Sequence, residues 1–290
     1  MSVQRILEKH SLFTLIGWMV QRTYRQVTSP ARTLPDFVII GGQRCGTTSL
    51  YNYLIAHPRV VPAFIKETHF FTKHYRKGMN WYRANFPLSW YKHYAQRRDD
   101  QSALSGEATP YYLFYPHPAR RAAAVIPDSK IIALLRNPVD RAYSHYHHAI
   151  RQGLETLSFE DALQREQSEL PDETKKVVGN ADYQSAVHQA YSYLARGIYV
   201  DQLECWYQYF DRQQILVLKT EDLSEHPNET LERVSEFLNL STWHPALRTK
   251  YHVAHYDPMD PGTRDCLEDY FSDYNRRLYE LLGRDFHWKS

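Results

Sequence analysis

The sequence predicts an α/β protein with a three-layer, P-loop-like fold: a central parallel sheet flanked by helices. Three observations lead there. Phe37–Ile40 and the stretches Lys130–Leu135 (KIIALL) and Gln214–Lys219 (QILVLK) carry short apolar runs, as strands buried on both faces do. Helical spacings alternate with these runs, the pattern of strand–helix–strand units in one parallel sheet. Finally, the first run ends on Gly41-Gly42 and passes through Thr47-Thr48-Ser49 into the helical spacing of Leu50, Leu54 and Ile55. A glycine turn that opens a helix aims backbone N–H groups and the positive helix end at one point. That geometry holds an anion, usually a phosphate.

A chain of 290 residues suits one large α/β domain, and 43% hydrophobic with 23% charged residues suffices for an ordinary core. A net charge of +2 excludes a general nucleic-acid binder, so any basic site must be local. Three widely spaced cysteines form neither a disulfide framework nor a metal-ligand spacing, which points to reduced thiols in a cytoplasm and to no metal. The apolar run Leu12–Val20 is too short for a membrane span, which needs about 20 residues. Val3–Tyr24 therefore reads as an amphipathic helix in an N-terminal extension, residues 1–34, ahead of a main domain, residues 35–290. Its apolar face is expected to cap the core or self-associate. The alternative is a peripheral membrane contact through residues 3–24, with Arg5, Lys9, Arg22 and Arg25 near headgroups.

The remaining elements follow in order. Arg59–Pro62 is a short strand that leads into Lys66-Glu67-Thr68-His69-Phe70-Phe71, at the carboxyl end where open α/β sheets bind ligands. Helices are expected at Asn80–Phe86 and Pro118–Val125, and a strand at Ser102–Glu107. Lys130–Leu135 ends at Arg136, and Asn137-Pro138 starts a helix with Asn as cap and Pro in first position. Residues 154–195 are more polar, with a helix at Ser158–Gln167 and an exposed loop at Pro171–Asn180. They read as a flexible insertion near an acceptor site, or equally as surface without function. Ile198–Phe210 and Glu229–Leu238 read as helices, and a last helix starts at Asp260-Pro261 and stops at Gly283.

The chemistry concentrates at two strand ends. Gly41 and Gly46 have the spacing of the P-loop pattern G-x-x-x-x-G-K-[ST], but Thr47 stands where that pattern has Lys. The missing Lys argues against cleavage of a triphosphate. A cation is offered earlier, by Arg44, so the loop suits one phosphate and a cation-stabilised group beyond it. A tight turn without ligand is the plainer alternative, yet three consecutive hydroxyls are more polar than packing needs. At the second strand end, Arg136 presents a planar fork suited to phosphate oxygens, and Ser144 follows eight residues later. Alone, that Arg would serve a salt bridge equally well. Together the two sites suit a nucleotide phosphorylated on both its 3′ and 5′ sides.

Gly42–Leu50 (GQRCGTTSL) resembles the 5′-phosphosulfate loop of sulfotransferases that use 3′-phosphoadenosine 5′-phosphosulfate (PAPS). The similarity is to the carbohydrate group, which includes the heparan sulfate N- and 3-O-sulfotransferases and bacterial relatives. Leu135–Ser144 (LRNPVDRAYS) resembles that family's 3′-phosphate motif, and Lys66–Phe71 (KETHFF) the segment that carries its catalytic base. Together the matches cover about Pro35 to the C-terminus. The resemblance implies that Arg44, Cys45, Gly46, Thr47, Thr48 and Ser49 hold the donor's 5′ side and Arg136 and Ser144 its 3′-phosphate. Arg196, before Gly197, and Lys250, in the stretch Lys250–Tyr256, are implied as further donor contacts. It makes Glu67 the base, with Arg44 acting by charge and His69 as the rival base. Desolvation in an aromatic-walled crevice is expected to raise the Glu67 pKa toward neutrality.

Two positions depart from the family pattern. Arg44 stands where the animal carbohydrate enzymes usually carry Lys, and an Arg does not give up its proton. Ala108 in Glu107-Ala108-Thr109-Pro110 stands where a similar family segment carries Lys, and Lys66, Lys73 or Arg196 are the candidates to restore that charge. The implied reaction moves a sulfuryl group from PAPS to a hydroxyl or amine of a carbohydrate or glycolipid. Two other readings stay open: a P-loop kinase or NTPase, disfavoured by Thr47 and by the want of an acidic Mg²⁺ site, and a non-catalytic nucleotide-binding protein of the same fold.

Overall fold

Five strands form one parallel sheet in the computed structural model: β1 (Phe37–Ile39), β2 (Val60–Pro62), β3 (Leu104–Ala108), β4 (Lys130–Leu135) and β5 (Ile215–Lys219), in the order β2-β3-β1-β4-β5. The structure describes residues 12–92, 103–243 and 256–288. Lys250, the neighbouring residues up to 255 and the first part of the expected N-terminal helix lie outside them.

Alternation along the strands makes the three layers. Phe37, Ile39, Ile132 and Leu134 face one side, where Leu50 and Leu54 of the helix Thr47–Ile55 and Leu231, Val234 and Leu238 of the helix Pro227–Leu238 cover them. Val38, Ile40, Ile131, Ala133 and Leu135 face the other, under Tyr112, Leu203, Trp206, Phe286 and Trp288. Each large apolar side chain so buried is worth about 1.5–3 kcal/mol. Because all five strands run parallel, their carboxyl ends share one edge of the sheet. The loop after β1, Glu67 after β2, Glu107 on β3 and Arg136 after β4 therefore open onto the same edge.

The caps read from sequence are present. Asn137 accepts from the Val139 and Asp140 N–H groups at the start of the helix Pro138–Arg151, and Asp260 accepts from Thr263 N at the start of Pro261–Leu282, which Gly283 ends in the left-handed region. Among the described residues, the short α-helices Tyr111–Phe114, Ala186–Ala190 and Thr220–Glu225 are additional.

The region 154–195 differs from expectation. One helix runs from Phe159 to Gly179 straight through Pro171, where a loop was expected. A Pro inside a helix forfeits a hydrogen bond and costs about 3 kcal/mol or more. Here Phe159, Leu163, Glu166, Leu170 and Val177 are buried along the helix, and that packing outweighs the local preference. The N-terminal extension also differs. Its helix, described over Leu12–Val27, turns its arginines inward: Arg22 donates to Asn85 Oδ1 at 2.9 Å, and Arg25 to the Ala84 and Phe86 carbonyls at 3.3 Å. Both guanidinium groups lie over rings, Trp81 and Phe64, so neither is placed for headgroups. Among the described residues, no helix is long and apolar enough to cross a membrane.

Candidate active site

The loop after β1 is shaped by its contacts with β4. Gly42 N donates to Leu134 O at 3.0 Å, and Cys45 N closes a turn onto Gly42 O at 3.1 Å. Arg44 (φ 70°) and Gly46 (φ 79°) take left-handed conformations, and Gly46 caps the helix that starts at Thr47. The first N–H groups of a helix have no partner within it, so those of Thr47, Thr48 and Ser49 are available to an anion. Thr220, just beyond β5, donates to Cys45 O at 2.7 Å and also approaches Leu135 O at 2.8 Å. Tyr199 OH donates to Arg136 O at 2.9 Å and lies 3.7 Å from Cys45 Sγ. Cys45 is fully buried, and that burial pushes its thiol up to about 11, so its side chain is packing and only its backbone faces the site.

Arg44, Arg136 and Ser144 come together. Arg44 Nε donates to Ser144 Oγ at 3.1 Å, and Arg136 reaches Arg44 O at 3.5 Å. Burial first, then the like charges of Arg151 and Arg136, lower the Arg44 pKa. Cations that depress one another are a site that an anion would relieve. Behind the loop, Arg141 is wholly buried, donates to Tyr193 O, and leaves Nε and Nη1 without a hydrogen-bond partner among the described residues. The arrangement suits a multiply charged anion, so the residues present fit the doubly phosphorylated nucleotide that the motifs imply.

Arg196 is placed differently from the expectation. Its side chain is buried and donates to Ser192 Oγ at 2.8 Å, to the Gln189 and His188 carbonyls at 2.7 and 3.3 Å, and to Gln43 Oε1 at 2.5 Å. With its donors drawn into the protein, it braces the loop through Gln43 rather than offering a free fork to a phosphate. Glu166, pushed up to about 7 by burial, accepts from Leu194 N and Ala195 N and so fixes the turn that carries Arg196.

Across the cleft, the segment after β2 brings Lys66 Nζ within 2.7 Å of Thr48 Oγ1 and 2.8 Å of Glu67 Oε1, while His69 Nε2 stands 3.6 Å from Glu67 Oε2. The expected rise in the Glu67 pKa is overturned. Burial alone would raise it, but the His69 imidazole and the Lys66 ammonium beside the carboxylate prevail and bring it down to about 2. Beneath this segment lies Glu107, fully buried, which accepts from Thr68 N (3.2 Å), Thr68 Oγ1 (2.7 Å), Thr109 Oγ1 (2.7 Å), Tyr82 OH (2.8 Å) and Tyr112 OH (3.2 Å). It ties down Thr68, between Glu67 and His69, and His69 holds a left-handed conformation (φ 50°) that turns the chain there. The sequence alone gives Glu107 no role. Nothing local marks a strand-end Glu as the acceptor for five donors from four residues. Thr220, Tyr199 and Gln43 were missed likewise, because their partners lie 63 to 175 residues away. Among the described residues, no group of three or more His, Cys, Asp or Glu is placed to hold a metal ion.

Fold and loop together define a P-loop-like nucleotide-binding α/β protein whose loop carries no P-loop lysine. Residues 34–259 match the sulfotransferase domain family. A solved sulfotransferase from Alicyclobacillus acidocaldarius superposes with a TM-score of 0.65 at 32% identity, covering 88% of this chain and 99% of that one. The membrane-associated sulfotransferase kil1 of Dictyostelium discoideum is 28% identical over 89% of this chain and 67% of its own length. The mouse heparan sulfate glucosamine 3-O-sulfotransferase 3A1 is 29% identical over 89% of this chain and 65% of its own. The chain belongs to the sulfotransferase family and is an enzyme of that class. It spans about two thirds of the length of these two curated relatives.

Proposed function

We propose that the cleft transfers the sulfuryl group of PAPS to a hydroxyl or amine of a carbohydrate or glycolipid, with Glu67 as base. One observation carries the reading: Arg44, Arg136 and Ser144 meet at the ends of β1 and β4, and Glu67 lies across from them, linked to Thr48 through Lys66. Arg136 and Ser144 take the 3′-phosphate side, and Arg44, bonded to Ser144, joins it to the 5′ side. The N–H groups of the Thr47 helix, with the hydroxyls of Thr48 and Ser49, take the 5′ side. Glu67 is ionised throughout the physiological range, so it is free to accept the proton of the attacking group, but it is weakly basic while Lys66 and His69 hold it. His69 is the second candidate for that proton, 3.6 Å away from the carboxylate.

The carbohydrate acceptor is supported by the mouse relative, whose name specifies a heparan sulfate glucosamine. For the N-terminal helix, the exposed Ile16, Met19, Val20 and Val27 and the membrane-associated relative support a peripheral membrane contact made through apolar side chains rather than arginines. The free thiols agree with a cytoplasmic setting.

Titration separates the readings. Adenosine 3′,5′-bisphosphate (PAP) is expected to bind without metal and more tightly than ATP–Mg²⁺; the reverse order would favour a kinase or NTPase. Labelled sulfate should pass from PAPS to a member of a glycan panel and be lost in Glu67→Gln. PAP binding with no transfer to any acceptor would leave a non-catalytic nucleotide binder.

A further inference from the structure

The loop is short of one cation where the transferred group would lie. Thr47 occupies the P-loop lysine position, and Arg44 turns Nε to Ser144, on the 3′-phosphate side. The ammonium that reaches the helix start comes from another strand. Lys66 Nζ lies 2.7 Å from Thr48 Oγ1 and 2.8 Å from Glu67 Oε1. An ammonium has three N–H donors, so these two contacts leave one to spare.

We propose that Lys66 is a catalytic residue of the transfer: it stands between the helix start and Glu67 and stabilises the charge that builds on the leaving phosphate oxygen. The inference rests on the donor site and base proposed above. In the step, the acceptor oxygen or nitrogen bonds to sulfur and its proton passes to Glu67. The bond from sulfur to the 5′-phosphate oxygen breaks, and its electron pair stays on that oxygen. Lys66 adjoins both ends of this movement. At one end it offers charge to the leaving oxygen, from the side of the cleft opposite Arg44, whose Nε is held by Ser144. At the other, any pull of an anionic oxygen on the ammonium weakens its hold on Glu67 and makes the carboxylate more basic.

The groups that bear on Glu67 are Lys66 and His69 from its own segment and Lys73 from the turn that follows; Thr48 meets the ammonium from the opposite helix. Lys73 is half-buried, in the fields of Arg196 and Glu67, and remains near the cleft when Lys66 is replaced.

The test compares Lys66→Met, Lys66→Arg and Glu67→Gln with the wild-type chain. Lys66→Met should lower kcat by about 100- to 1,000-fold, with far less change in PAP affinity, because the lost contact matters most in the transition state. Lys66→Arg keeps the charge and should recover at least about tenfold of that loss. Independently of turnover, the Glu67 carboxyl, followed by carbon-13 NMR without donor, should titrate at higher pH in Lys66→Met than in wild type. The inference is overturned if Lys66→Met keeps kcat within about threefold of wild type, if PAP affinity falls in parallel with kcat, or if the carboxyl titration does not move. Should the wild-type chain neither bind PAP nor transfer sulfate, the donor reading fails and takes Lys66 with it. Should Glu67→Gln transfer normally, the base assignment fails, and the kcat of Lys66→Met still decides the contact with the leaving oxygen.

Discussion

Arg44 and Ser144, a hundred residues apart in sequence, meet at 3.1 Å across the ends of β1 and β4. The pair joins the two phosphate motifs into one surface, since Arg136 also touches the Arg44 carbonyl. A charge-assisted hydrogen bond is worth about 1.5–3 kcal/mol, which is about 10- to 150-fold in affinity. Arg44→Ala should therefore weaken PAP binding by a factor in that range, measured by calorimetry. Ser144→Ala should cost about fivefold, as a neutral donor does. Arg44→Lys should fall between wild type and Arg44→Ala, because it keeps charge and loses the directed Nε contact.

Much of this surface was legible in the sequence. The runs of β1, β4 and β5, the Asn137 and Asp260 caps, and the spacings of Gly41 to Ser49 and Arg136 to Ser144 are local signals that local physics obeys. What escaped depends on where side chains point, whether their partners are near or far in the chain. Pro171 reads as a break, and only packing around Leu163, Leu170 and Val177 makes it helical. Glu67 reads as a desolvated carboxylate until the Lys66 ammonium at 2.8 Å and the His69 imidazole at 3.6 Å are seen. Arg196 reads as a free fork until its bonds to Gln43, Ser192 and Gln189 are counted.

The depressed Glu67 pKa fixes a pH dependence. Its folded-state value of about 2 lies below the ordinary Glu value of about 4.3. Such a group adds stability that is present above about pH 4.3 and is lost as the pH falls toward 2. The stability of wild type relative to Glu67→Gln, read from thermal unfolding, should therefore shrink over that window. The carboxylate is 39% exposed, so salt should narrow the difference. A gap that stays constant from pH 5 to pH 2 would refute the ion-pair account.

Glu107 behaves in the opposite sense. Burial raises its pKa, so the folded state binds its proton more tightly than the unfolded chain does. That contribution is complete below about pH 4.3 and is lost as the pH rises through the folded-state value. Glu107→Gln resembles the protonated form and should flatten this slope in denaturant titrations at pH 4 and pH 8. Glu107→Ala strands the hydroxyls of Thr68, Tyr82, Thr109 and Tyr112 and should cost about 3 kcal/mol or more. It should also reduce turnover, because Thr68 holds the chain between Glu67 and His69.

Gly41 is the tightest constraint on the donor loop. A Cβ there would lie 2.4 Å from Leu134 N and 2.6 Å from Leu134 O, the backbone of interior strand β4. Backbone in mid-sheet cannot swing aside as a side-chain tip can. The pairing next to it is also committed, with Ile40 N on Ile132 O at 2.9 Å and Gly42 N on Leu134 O at 3.0 Å. Overpacking usually costs about 1–3 kcal/mol, and Gly41→Ala should exceed the upper end of that range because nothing near it yields. Two outcomes agree with this: little folded protein, or a folded protein whose loop is pushed off β4 and whose PAP affinity falls with its stability. Gly179→Ala is the control, at the last residue of the helix Phe159–Gly179 with nothing within 4 Å of the added atom. Helix propensity there should leave stability unchanged or raise it by up to about 1 kcal/mol. If Gly41→Ala unfolds at the same temperature as Gly179→Ala and binds PAP as wild type does, the loop does not need its close approach to β4.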